Sequence, residues 1–223
     1  MNKAQKKVQE SDTMQKAPPW PLVIAIISIV SGLGVLMFVF TPILWLETQY
    51  VWRTSVVKYL PPNTVVSPTP DPRNALPIDF SIAVPKIGAY APVVKDVDAF
   101  DSRIYQQALS KGVAHAAGTS TPDKAGNSFL FAHSAQNIFD AGRYNAIFYL
   151  IDKLEGDDEF SVYYEGSEYI YRVREKRVVD AQDISIMEDA SFERSVTLMT
   201  CWPAGTTWKR LIVVGQLQKV TSL

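Results

Sequence analysis

Reactive side chains are scarce in this chain: its 223 residues include one cysteine, Cys201, and two histidines, His115 and His133. A lone cysteine excludes an intrachain disulfide and any cluster of thiolates around a metal. A basic excess is also missing, with 22 Lys and Arg against 23 Asp and Glu, so nothing is set aside to neutralise a run of phosphates. A nucleic-acid partner is therefore not indicated. Charge of either sign is absent between Lys16 and Glu47. There is no internal repeat, and no low-complexity tract apart from one rich in proline.

The uncharged gap organises the first third of the chain. Leu22 to Phe40 is almost unbroken in Leu, Ile, Val, Ala, Phe, Met and Gly, and roughly 18–20 apolar residues are enough to cross a bilayer core as a helix. Trp20 precedes the run, and Trp45, Tyr50 and Trp52 follow it, as interfacial aromatic anchors do. Pro42 is expected to end or kink the helix near its far end. A cleaved signal peptide would have a shorter apolar region closed by small residues, whereas this run ends in Ile43-Leu44-Trp45-Leu46. Residues 1–20 hold four lysines against one glutamate and one aspartate, a net +2 that leaves −3 for the remainder. By the positive-inside tendency, residues 1–20 stay cytoplasmic, 21–46 form an uncleaved transmembrane signal anchor, and the rest lies outside the cell. Residues 47–77 then make a juxtamembrane segment and a stalk, since 61–77 contain six prolines and favour extended backbone.

From Ile78 to Leu223 the pattern becomes one of short alternating runs. Ile78, Phe80, Ile82 and Val84 alternate with smaller or polar residues, as a half-buried strand does. Phe160–Tyr164 and Tyr169–Arg174, parted by Glu165-Gly166-Ser167-Glu168, read as a hairpin. Further strands are expected at Ala91–Val94, Ser128–His133, Val178–Val179, Val196–Cys201 and Leu211–Gln218. A short helix is expected within Asp98–Leu109, with Ile104, Ala108 and Leu109 as its apolar residues, and a short turn within Phe139–Leu154. Many short strands with little helix predict a mainly β domain closed into a barrel of about eight strands.

Cys201 ends one apolar run, and Arg210 opens the next after a loop of eight residues, 202–209. If the two runs are antiparallel neighbours, thiol and guanidinium converge. Read alone, Cys201 is a small buried apolar residue and Arg210 a solvated strand-end charge. A free thiol outside the cell is unusual, however, and a thiolate nucleophile needs a partner to form or hold it. His133, at the end of Ser128–His133, is one candidate. His115 lies in the small-residue stretch Gly112–Thr119, which reads as a turn with a structural histidine. Arg210 could hold a substrate carbonyl or an oxyanion, Thr200 could position substrate or Arg210, and Trp202 and Trp208 could wall the site. Asp157, Asp158 and Glu159 read as a solvated acidic turn and not as a calcium site; no cofactor or metal is expected.

Taken together these residues resemble the sortase family of membrane-anchored cysteine transpeptidases. Thr197-Leu198-Met199-Thr200-Cys201 matches that family's TLxTC signature, Arg210 falls where its essential arginine is expected, and Phe131-Ala132-His133-Ser134 matches the segment with its histidine. Ile82–Ile87, Ala91–Val94 and Lys111–Asn127 follow the family's order, so the resemblance covers about residues 78–220. Alanine precedes His133 where many members have glycine, and neither an N-terminal lid nor the housekeeping sequence after the cysteine is present; the subclass stays open.

The resemblance implies a sortase-like catalytic β-barrel over 78–223 with Cys201, His133 and Arg210 as catalytic residues. It further implies cleavage of an LPxTG-like C-terminal sorting signal through a thioacyl-enzyme. The acyl group would pass to an amine of a cell-wall precursor or a pilin-like subunit. The alternatives are a membrane-tethered β-barrel that binds a partner without catalysis, or a hydrolytic cysteine peptidase. Peptidases of that kind usually place Cys before His and open a helix with it, whereas here His133 comes first and Cys201 closes a strand.

Overall fold

In a computed structural model of the chain, the residues described are 20–59, 77, 79–134, 146–187 and 192–223. The chain divides between Leu44 and Trp45 into two units, each taken here by itself. The N-terminal segment, most of the proline tract and the first part of Phe139–Leu154 lie outside the described residues.

The first helix, α1, runs from Trp20 to Tyr59 over 40 residues. Pro42 does not end it. Every side chain described between Leu22 and Phe38 is exposed, though nearly all are apolar. Among the described residues no helix is long and apolar enough to cross a membrane. The helical backbone itself continues well past the stretch.

Eight strands form the second unit: β1 (Phe80–Val84), β2 (Ala89–Val97), β3 (Val113–Ala116), β4 (Gly126–Phe131), β5 (Glu159–Tyr164), β6 (Ser167–Asp180), β7 (Arg194–Trp202) and β8 (Lys209–Ser222). They close into a barrel in the order β1-β2-β3-β4-β7-β8-β6-β5. Closure removes the unpaired edges that an open sheet would expose. Two neighbouring pairs are parallel, β2 with β3 and β4 with β7. The core is aliphatic and aromatic: Ile82, Leu130, Leu198, Ile212 and Val213 are fully buried. Phe160 and Tyr171 stack at 5.6 Å, and Gly215 lets them do so, because a Cβ there would lie 2.5 Å from the Phe160 ring.

The hairpin expected around residues 160–174 is present, and its turn is tighter than four residues. Glu165 and Gly166 both have positive φ, 47° and 74°, which suits the right-handed twist of a two-residue connection. The strand after it does not stop at Arg174. It runs to Asp180, so Val178 and Val179 are its far end and not a separate strand.

The helix α2 (Ser102–Leu109) begins where the acidic residues suggested, with Asp101 Oδ1 accepting from the N–H of Arg103 (2.9 Å) and Ile104 (3.4 Å). It buries Ala108 and Leu109, whereas Ile104 is exposed.

Two other expectations need correction. β1 is buried on both faces, not half-buried; even Ser81 is fully enclosed, its hydroxyl donating to the Pro77 carbonyl at 2.6 Å. And His115 lies within strand β3 and not in a turn.

Candidate active site

The strand β7 is the axis of the site, with β4 on one flank and β8 on the other. On the β8 side the pairing is antiparallel, and Cys201 lies directly opposite Arg210. Directly opposed residues project to the same face, with Cβ atoms about 4.5–5.5 Å apart. The convergence expected from the short connection is therefore present. Arg210 is held at its Nη1, which donates to the carbonyls of Lys209 (3.0 Å) and Thr207 (3.2 Å). No described residue bonds its Nε or Nη2, so part of the planar fork is available.

On the β4 side the pairing is parallel, with Leu130 beside Leu198 and Phe131 beside Met199. The regular strand ends at Phe131, but the ladder continues for one more bond, Ala132 N–H to Met199 C=O at 3.1 Å. Carrying the register on by two residues brings His133 beside Cys201. The segment is then pinned from three directions. The Thr200 hydroxyl donates to Ala132 C=O (2.8 Å), Phe148 N–H donates to His133 C=O (3.3 Å), and Gly205 N–H donates to Ser134 Oγ (3.4 Å). Thr200 is buried, so what it demonstrably fixes is the backbone before the histidine.

Cys201, His133, Arg210 and Thr200 line one cavity of about 390 Å³. Much of the rest of its wall is apolar, including Tyr105, Leu109, Phe129, Phe131, Ile186 and Met199. The cavity is large enough to take several residues of an extended peptide. Burial lowers the His133 pKa from its ordinary value, because the withdrawal of water disfavours the charged imidazolium. Cys201 is the free cysteine and is partly accessible, not sealed in the core.

The remaining candidates sit elsewhere. Trp202 is partly buried and packs against the core, Trp208 is 74% exposed, and neither lines the cavity. His115 is fully buried. Its Nδ1 accepts the Asp96 N–H (3.3 Å), so Nε2 carries the proton and points at Ser120 C=O and Thr119 Oγ1, both at 3.1 Å. Burial lowers its pKa first; the Ser120 bond and Asp96 oppose that, and Lys95 adds to it. The three acids read as one turn face different cations, and Glu159 already belongs to β5: Asp157 meets Arg174, Asp158 meets Lys86 and Glu159 meets Arg172. Tyr105 and the residues of the β6–β7 connection, which also line the cavity, carried no local signal in the sequence.

Comparison with known proteins bears on the family and the fold. Residues 82–218 match the sortase domain family. Sortase D of Bacillus subtilis (strain 168) is 28% identical over 138 residues, covering 60% of this chain; the chain thus spans about three fifths of that relative, 61%. Among solved structures, the pilus-related sortase C of Group B Streptococcus is 29% identical with a TM-score of 0.53, over 63% of this chain and 67% of that one. Sortase A of Listeria monocytogenes is 25% identical with a TM-score of 0.53, over 65% and 89% respectively.

Proposed function

Because this chain belongs to the sortase family, we propose that it is a membrane-anchored cysteine transpeptidase that cuts a C-terminal sorting signal of LPxTG type. The observation that carries this reading is the placement of Cys201 between Arg210, its direct cross-strand partner, and the pinned His133 segment, at one cavity.

In the proposed cycle the Cys201 thiolate attacks the carbonyl carbon of the Thr-Gly-like bond, and the carbonyl oxygen gains the charge. The unbonded part of the Arg210 fork stabilises that oxygen. The C–N bond breaks as His133, in its imidazolium form, gives a proton to the departing amine. A thioester remains on Cys201. An amine of a cell-wall precursor or of a pilin-like subunit then attacks it, His133 takes the proton, and the thiolate is released. Burial disfavours a lone imidazolium at position 133, so in this cycle the protonated form relies on the thiolate beside it. The test is to incubate the full chain, in detergent, with LPxTG-type peptides and look for an acyl adduct by mass spectrometry. An adduct on Cys201 is expected; its absence with every signal-like peptide would leave a non-catalytic binding barrel as the better account.

Residues 21–46 of α1 are the proposed anchor, with the N-terminus cytoplasmic and the barrel outside. Support comes from the uncharged stretch between Lys16 and Glu47 and from the exposure of the apolar side chains Leu22–Phe38. Protease added to intact cells that express the chain is expected to remove the barrel and spare the N-terminal lysines. A protected barrel would overturn the orientation.

A further inference from the structure

The cavity wall is uneven in charge. Among its described residues it has Arg210 and His133 near the nucleophile, and a single carboxylate, Asp183, on the connection between β6 and β7. Asp183 is half-buried. Its Oδ1 is occupied locally, accepting from Ser185 N–H (3.1 Å) and Ser185 Oγ–H (2.5 Å) at the start of a short 3₁₀ turn. No described residue bonds Oδ2, and no described cation pairs with the side chain. The neighbouring acid Asp180 differs, since Lys209 already neutralises it. A carboxylate with an oxygen that no described residue bonds, on the wall of a largely apolar cavity, would attract a cation, and among the described residues no ion pair joins it to Arg210.

We propose that Asp183 docks the acceptor in the second half of the reaction, selecting amines that arrive as ammonium ions. The inference rests on the transpeptidase reading above and adds the charge state of the acceptor to it. The chemistry closes as follows. The ammonium held by the carboxylate loses one proton to solvent, and its nitrogen attacks the thioester carbon. The C–N bond forms and the C–S bond breaks, with the electron pair going to Cys201 Sγ. The second proton passes from nitrogen to His133. Asp183 attracts and orients without exchanging a proton. Half-buried ion pairs of this sort contribute about 1 kcal/mol, which is roughly fivefold in affinity.

Two acceptors separate this role from a merely structural one: glycinamide, mostly an ammonium at pH 7, and hydroxylamine, mostly neutral there. In the full chain acylated by an LPxTG-type peptide, Asp183→Asn removes the charge and keeps the oxygen that Ser185 needs. The expected result is a fall of about fivefold in the preference for glycinamide over hydroxylamine. An unchanged preference, or equal losses with both acceptors, overturns the proposal. Should the variant not fold, the wild type still decides: added salt should erode the glycinamide preference, and a salt-independent preference counts against Asp183. The acyl adduct on wild-type Cys201 reports the underlying reading separately. If no adduct forms, that reading falls; if it forms and the preference does not respond, only the Asp183 role falls.

Discussion

The two histidines occupy adjoining regions of the same barrel, and the contrast between them separates fold from chemistry. His115 lies inside β3, paired across to Leu130 of β4, fully buried, with both ring nitrogens bonded and the Phe80 ring 5.6 Å away. His133 lies two residues past the end of the same β4. Its backbone is pinned, while its side chain lines a cavity. Burial lowers both pKa values, but only His115 has hydrogen-bond partners that specify its neutral tautomer. A buried ring with every nitrogen used is part of the structure. A ring held by its backbone, on a cavity shared with a thiol, has no described partner for its nitrogens.

The widest separation of the two is expected from substituting each. His133→Asn should lower transpeptidation by about 10³-fold, within the usual reach of acid–base catalysis, with little change in melting temperature. His115→Ala should do the reverse. It leaves the Asp96 N–H without its His115 acceptor, removes one of the two donors to the Ser120 carbonyl (the Ser128 hydroxyl remains) and opens a cavity, costing about 2–4 kcal/mol, while the folded fraction still turns over. Activity lost at 115 with stability intact would collapse the contrast.

The next effect concerns Arg210, on the chemical side of the comparison. Arg210→Lys should cost about 10²-fold in kcat/KM, because a point charge cannot both bond the Lys209 and Thr207 carbonyls and face the oxyanion. Near-normal turnover in that variant removes Arg210 from the mechanism.

The smallest effect is shared by both histidines and concerns pH. Both fold with a depressed pKa, so between that value and the unfolded value of about 6.5 the unfolded chain binds more protons. Stability from this source is complete above pH about 6.5 and declines as pH falls. Melting temperatures across this range should slope upward with pH, and His115→Ala should flatten part of the slope. A flat wild-type profile would mean that neither ring is desolvated on folding.

Much of this architecture is legible in one dimension because strands and turns are written locally. Alternating and β-branched runs marked β5, β6, β7 and β8, and the stretch Asp98–Leu109 marked the region of α2. The sole cysteine and Arg210 could be paired on paper because a short connection between antiparallel strands leaves few other arrangements. His115 was harder to read, since Val113–Ala116 is made of small residues between Gly112 and Gly118 and looks like a turn until the barrel encloses it. β1 looked half-buried because its polar alternate, Ser81, is enclosed only in the folded barrel.

By itself, then, the sequence determined the strand-rich domain, the uncharged apolar run before it, and the short list of candidates Cys201, His133 and Arg210. Tertiary structure decided which of them are neighbours on the β4 side. β4 and β7 are parallel and separated by a long intervening segment, and no local pattern encodes a partner so distant. Only that pairing carries His133 to Cys201. The same closure placed Asp183 on the cavity wall and left Trp202 and Trp208 off it, because the face a loop residue presents is set by the elements that pack around it.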